Sequence, residues 1–129
     1  MLLVGTYLAP SKLHGLGLFA REFIAKDAVI WEFVPEFDRM FTRDEFNALP
    51  VPAQDFIRHY GHHESGTPDV IYLCGDLAKF MNYSAADYNL RDTLRTTYAL
   101  KDIQPGEELI FNPFANSDLY QGNDYKIRF

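Results

Sequence analysis

Gly15-Leu16-Gly17-Leu18-Phe19-Ala20 sets two glycines around one residue. Without a Cβ on either side, a ligand can come close to the main chain there. The spacing also matches the glycine fingerprint of dinucleotide-binding folds. That fold needs a strand before the glycines, a crossover helix after them and a repeated parallel sheet, for which 129 residues with these turn signals have no room. His59, His62, His63 and Glu64 bring imidazoles and a carboxylate together, donors that suit zinc or nickel. They run into Ser65-Gly66-Thr67-Pro68, so a solvated polar loop accounts for them more simply and no metal is expected. Asn82-Tyr83-Ser84 follows the apolar Phe80-Met81 pair. An Asn entering a core segment needs its amide hydrogen-bonded, by a ligand or by neighbouring backbone. Ser84 has no His and Asp at nucleophile-elbow spacing. Glu107 and Glu108 are adjacent, so on a strand they point to opposite faces and share no acid–base site.

The elements that must position these residues are short. Leu2–Leu8 reads as a strand stopped by Pro10, followed by apolar, β-prone runs at Leu16–Phe23 and Ala28–Val34. Ile24-Ala25-Lys26-Asp27 between the last two predicts a hairpin. Thr42 and Glu45 form a Ser/Thr-x-x-Glu capping box, which starts a helix that ends before Pro50. A second helix begins near Pro52, carries Ala53, Phe56, Ile57 and Tyr60 at helical spacing, and stops at Gly61. Strands resume at Val70–Leu73, Thr96–Leu100 and Glu108–Phe111, with Gln104-Pro105-Gly106-Glu107 a type II turn. The architecture is mainly β with a short helical insert.

Composition narrows the function classes. Eleven Phe and eight Tyr, with 47% hydrophobic residues, indicate a packed domain rather than a disordered chain. One cysteine, Cys74, excludes an internal disulfide and any Cys-based zinc site, and makes a reducing, intracellular home the simpler expectation. No run approaches the roughly 20 apolar residues of a membrane span, no targeting segment is evident, and no membrane partner is expected. A formal charge of −6 with scattered lysines disfavours direct nucleic-acid binding but suits attraction of basic peptides.

Three ordered motifs resemble the SET domain, the fold of S-adenosylmethionine-dependent protein-lysine methyltransferases. His14-Gly15-Leu16-Gly17-Leu18-Phe19-Ala20 is similar to the family's H-G-x-G-hydrophobic-F-A opening, and Phe80-Met81-Asn82-Tyr83-Ser84 to its F-I/M-N-H-S core. Ala99 to Leu109, reading ALKDIQPGEEL, is similar to its A-x-R/K-D-I-x-x-G-E-E-L segment. The resemblance covers about residues 1–115, within a single SET domain spanning 1–129 whose last residues, 116–129, form a tail. It implies a β-clip-like fold of small twisted sheets with a knot-like core near the C-terminus. It also implies a cofactor site at His14, Gly15, Leu16, Gly17, Asn82, Tyr83 and Phe111, with the glycines keeping side chains clear of the cofactor. A lysine channel lined by Phe111, Phe114 and Tyr120 would admit a basic, lysine-bearing protein, steered inward by surrounding acid. The chain is similar to compact stand-alone SET proteins of bacteria and viruses, which implies a homodimer; the single cysteine and the lack of a signal peptide point to the cytoplasm.

Several positions depart from the family pattern. The family's Asp-Tyr pair falls on Asn112-Pro113, and proline has no hydroxyl. Tyr72, Tyr83 and Tyr98 are the candidates to stand in for the missing tyrosine. The usual His of N-H-S is Tyr83, and the zinc-bearing appendage is absent. The alternative to an enzyme is a catalytically weak or inactive SET-like module that holds cofactor or a basic peptide.

Overall fold

The structure is a computed structural model that describes residues 1–63, 67, 69–93 and 95–113. Among these described residues, nine short strands form three small sheets, and two helices cover one of them. β1 (Thr6–Pro10) and β2 (Leu16–Ala20) pair antiparallel, with Pro10 opposite Leu16. β4 (Arg39–Thr42) and β5 (Val70–Leu73) make a second ribbon. The third sheet has the order β3-β8-β7-β9-β6, built from Val29–Glu32, Thr96–Ala99, Leu90–Thr93, Ile110–Phe111 and Asn82–Tyr83.

The local signals behave as the residues dictate. Thr42 caps α1 (Arg43–Asn47) with both bonds of the capping box, and α2 (Val51–Tyr60) carries proline in its first turn and ends at Gly61. Gly106 has φ +88°, and Glu107 N–H donates to Gln104 O at 3.1 Å, the type II turn its sequence demands. The 24–27 hairpin is a correction. Ala25 to Ala28 does turn, with Asp27 at φ +66°, but β2 pairs with β1 while β3 pairs with β8. The turn therefore changes sheets instead of joining neighbours. β7 was not legible, because Leu90-Arg91-Asp92-Thr93 is mostly polar.

β9 lies parallel between β6 and β7, the two strands joined by the 84–89 loop, so the C-terminal segment threads within that loop. Four hydrogen bonds hold the threading. Ser84 N–H donates to Phe111 O, and Asn89 N–H to Ile110 O, each at 3.0 Å. The Asn89 side chain accepts from Ile110 N–H at 2.9 Å and donates to Glu108 O at 2.8 Å. Asn89 is buried, and these bonds satisfy both ends of its amide. Leu18, Ala20, Ile24, Ile30, Leu90, Ala99, Ile103 and Leu109 form the main core beneath these strands. A second cluster, Phe46, Ile57 and Ile71, fixes the helices on the β4–β5 ribbon. Among the described residues no helix is long and apolar enough to cross a membrane.

Candidate functional site

A cleft of about 860 Å³ opens where the glycine loop, the end of α2, the 3₁₀ turn Leu77–Phe80 and the large sheet meet. Its wall includes His14, Gly15 and Leu16 from the loop, and Asn82, Tyr83 and Phe111 from adjacent parallel strands. Six of the seven residues assigned to the cofactor therefore come together, with the Tyr83 and Phe111 rings 6.2 Å apart.

Asn82 is the joint. Its Nδ2 donates to His14 O and Leu16 O, each at 3.1 Å, and to Glu108 Oε1 at 2.9 Å. Glu108 is in turn bonded by Ser11 Oγ at 3.0 Å, and Ser11 Oγ accepts from Leu13 N–H at 2.9 Å. The carboxylate thus ties the amide to both ends of the 11–16 loop. Glu107 points away and accepts from Gln104 N–H in its own turn, so the two acids serve different faces.

Gly17 is a correction. It does not line the cleft, and a Cβ built there would overlap Glu108 Oε1 and lie 2.7 Å from its Cδ and 3.1 Å from Ser11 Cβ. This glycine makes room for the Glu108 carboxylate. Gly15 is different. Its φ is +49°, where side chains are strained, and nothing lies within 4 Å of its missing Cβ, so it opens onto free space at the cleft.

Of the substitute tyrosines, only Tyr83 lies at the cleft. Tyr72 is 3% exposed and enclosed, edge-on to Phe33 at 5.5 Å and stacked on His62 at 5.8 Å. Tyr98 follows Thr97 on β8; Thr97 faces the cleft, so alternation sends Tyr98 to the other face. Tyr60, at the end of α2, supplies a second hydroxyl that sequence reading missed, because it counted only as a helix core position. Pro113 is fully buried and away from the cleft. Phe114 and Tyr120 lie outside the described residues.

The imidazole cluster is divided by the fold. His59 stays on α2, whereas His62 bridges Tyr72 through paired backbone bonds of 3.0 and 2.8 Å. His63 is buried, with Nδ1 against Val70 O at 2.7 Å; a carbonyl only accepts, so that nitrogen carries the proton. Glu64 lies outside the described residues. The solvated-loop reading fails for His62 and His63, which pack on β5, and the described residues contain no metal-binding group of side chains.

Burial, and then the neighbouring His63, hold the His62 imidazole down to about 4 from its ordinary 6.5. The unfolded chain thus takes up a proton at higher pH than the folded one. Stability from this group is complete above about pH 6.5 and is lost as pH falls toward 4, by about 2 kcal/mol because part of the ring still meets water. Urea midpoints at pH 7 and pH 4.5 should fall less for His62→Gln than for the unaltered chain; equal falls would show that His62 is not the group responsible. Cys74 lines the same cleft, but burial, followed by Asp38 and Asp76, pushes its thiol up to about 12, so it supplies no thiolate nucleophile near neutrality.

The acidic surplus does not gather here. Among the described lining residues Arg58 and Lys79 are cationic and Asp92 alone is a carboxylate, which removes the expected acid ring. The arrangement instead offers carbonyl acceptors at His14 and Leu16, a cationic donor at Lys79 and aromatic walls. Together these suit a ligand with an amino-acid end and a cationic centre.

The SET domain family model matches residues 15–112. The Schizosaccharomyces pombe protein "Histone-lysine N-methyltransferase, H3 lysine-4 specific" is 30% identical over an alignment of 120 positions that covers 82% of this chain and 12% of that protein. The chain thus spans about an eighth of that relative's length. Chaetomium thermophilum Polycomb Repressive Complex 2, in an autoinhibited conformation bound to S-adenosylmethionine, shares the fold at TM-score 0.62 and 21% identity, over 90% of this chain and 16% of that one. A crystal structure from Plasmodium falciparum gives TM-score 0.58 and 19% identity over 88% of this chain and 96% of that one. With the family model matching well over half of its residues, and the threaded β9 and small sheets in place, the chain belongs to the SET domain family.

Proposed function

We propose that this chain transfers a methyl group from S-adenosylmethionine to a lysine side chain of a protein. The observation that carries the reading is the meeting of Asn82, the His14–Leu16 carbonyls and the Tyr83–Phe111 pair in one cleft. The residues fit this cofactor. Each carbonyl that receives Asn82 Nδ2 has a second lone pair for the cofactor's ammonium, and Lys79 has no described carboxylate within ion-pairing distance and suits its carboxylate. The rings of Phe111 and Tyr83 suit the sulfonium charge.

When bound, S-adenosylmethionine supplies an electrophilic methyl carbon. The chain's part is positional. Asn82 and the loop hold the amino-acid end, while the aromatic walls orient the incoming amine and disfavour its charged form, since an ammonium loses hydration there. The phenol side chains at the cleft are those of Tyr60 and Tyr83. The substrate class we carry is a basic, lysine-bearing protein, and a homodimer of bacterial or viral type, acting in the cytoplasm, completes the reading. Its support is the single cysteine and the general frequency of symmetric pairs.

Calorimetry with S-adenosylmethionine, followed by labelled-methyl transfer to histone H3 and other basic proteins, tests this. Binding with transfer to lysine is expected. No binding would overturn the reading. Binding without transfer to any lysine would favour the second reading, an inert SET module, for which the buried Pro113 in place of a tyrosine is the specific support.

A further inference from the structure

His62 stands at the cleft as an imidazole that is held in place but not hydrogen-bonded. Its backbone exchanges two hydrogen bonds with Tyr72, and the Tyr72 ring stacks on its own at 5.8 Å and 23°. These contacts fix where the ring sits, and the residue lines the cleft beside Tyr60 and Gly61. It is half-buried, yet among the described residues neither ring nitrogen has a hydrogen-bond partner, and neither is sealed from solvent; Trp31 Nε1 is the one side-chain atom that is both sealed and unbonded. Burial leaves the His62 ring uncharged near neutrality. One nitrogen then carries the proton and the other a lone pair, so in either tautomer an acceptor is left open.

We propose that His62 accepts a hydrogen bond from the neutral amine of the substrate lysine and so orients that amine for methyl transfer. Three arguments support it. An attacking amine has one lone pair and must keep it free, so a group that holds it must accept from its N–H rather than donate to the nitrogen. That requirement sets aside Arg58 and Lys79, which only donate. The other two imidazoles of the lining, His14 and His59, are exposed, where water competes for the bond and leaves little net gain. The half-buried, fixed ring of His62 meets less of that competition. Finally, an ammonium gives up strong hydration that one uncharged acceptor does not replace, whereas a neutral amine gives up little. The contact therefore favours the deprotonated form, which is the form that attacks. No proton passes to the ring, which stays neutral throughout.

The inference rests on the lysine-methyltransferase reading but is tested without a substrate. The probe is trifluoroethylamine, a weakly basic primary amine that is uncharged at pH 8, and its N,N-dimethyl derivative is the control that lacks an N–H. The readout is the nitrogen resonance of the unprotonated His62 ring atom in a chain labelled with nitrogen-15 at histidine, identified by its loss in His62→Gln. Trifluoroethylamine should bind saturably and move that resonance toward the frequency of a bonded acceptor, and the dimethyl derivative should not. His62→Phe keeps a ring to stack on Tyr72 but has no acceptor. It should bind trifluoroethylamine about two- to tenfold more weakly, the factor carried by one neutral hydrogen bond, and bind the dimethyl derivative as before. Absence of saturable binding, a resonance that does not move at saturation, or an unchanged affinity in His62→Phe would overturn the proposal. Equal weakening of both probes would overturn it too, because it would show that the ring shapes the cleft and accepts nothing. A moved resonance in a chain that transfers no methyl to any lysine would sink the methyltransferase reading and leave the amine site standing; transfer without that movement would do the reverse.

Discussion

Gly17→Ala should weaken S-adenosylmethionine binding roughly ten- to a hundred-fold although Gly17 does not face the cleft. A methyl group there overlaps Glu108 Oε1, and the easiest relief is for the carboxylate to swing away. Doing so breaks its bonds from Asn82 Nδ2 and Ser11 Oγ, each a bond to a charged acceptor worth about 1.5–3 kcal/mol. Asn82 then loses one of its three acceptors, and the loop loses its tie through Ser11, so the His14 and Leu16 carbonyls are no longer held in place. A double-mutant cycle identifies the cause. Glu108→Ala alone should cost about as much as Gly17→Ala, and the double variant little more than either, because the second change removes an interaction already lost. Calorimetric affinities that simply add would show that Gly17 acts independently of Glu108.

That coupling was beyond the sequence for a physical reason. Asn82 bonds to carbonyls 68 and 66 positions away, and Glu108 to Ser11 at a separation of 97, whereas spacing arguments see only neighbours along the chain. Family resemblance put Asn82 and the glycines in one site, and the structure brings Asn82 and Gly15, but not Gly17, to one cleft. It assigned Gly17 the wrong neighbour, because a glycine's sequence shows that room is needed and not what fills it. Glu108 was set aside as half of a carboxylate pair. Strand alternation rightly separated it from Glu107 without showing what its own face meets.

Local signals fared best where the cause is local. The Thr42–Glu45 box, Pro52 in the first turn of α2, and Pro105-Gly106 each contain their own partner or their own φ, and each folds as read. Strand pairing was not legible, even where the sequence showed the turn. The turn at 25–28 was visible, yet the partners of its flanking strands are β1 and β8, chosen by burial of Leu18 and Ile30 in the common core. Tyr72 and Tyr98 were reasonable hydroxyl donors by type; burial against Phe33 and the pleat of β8 remove them. Tyr60 and Asp92 reach the cleft from segments with no motif at all.

Asp38→Ala should lower the free energy of unfolding by about 3–4 kcal/mol, a large share of a small domain's total. Asp38 is 3% exposed and nothing in its sequence context marks it. Its Oδ2 accepts from Val34 N–H at 2.9 Å and from the Met1 amino group at 2.7 Å, and its Oδ1 from Gly75 N–H at 2.9 Å. Alanine strands the Val34 and Gly75 N–H groups, at about 1–3 kcal/mol for each one left unsatisfied, and removes the ion pair of the Met1 amino group, which keeps its bond to Glu32 O. The crossing cannot relax inward, because Gly75 already packs on Phe37 O so closely that a Cβ would overlap it. Asp38→Asn should recover no more than about half. One amide oxygen serves one side, and the NH₂ group faces donors on the other. The damage reaches the cleft through a short path. Gly75 precedes Asp76, whose carboxylate accepts from Ala78 N–H at 3.0 Å and Leu2 N–H at 2.6 Å and so seats the 3₁₀ turn that carries Ala78, Lys79 and Phe80 to the cleft. Urea unfolding at pH 7 should show a lower midpoint with an unchanged slope, which marks lost stability without a change in the surface exposed. An unfolding free energy within about 0.5 kcal/mol of the unaltered chain would mean that water replaces the carboxylate, and that this buried crossing is not what holds the 3₁₀ turn against the sheet.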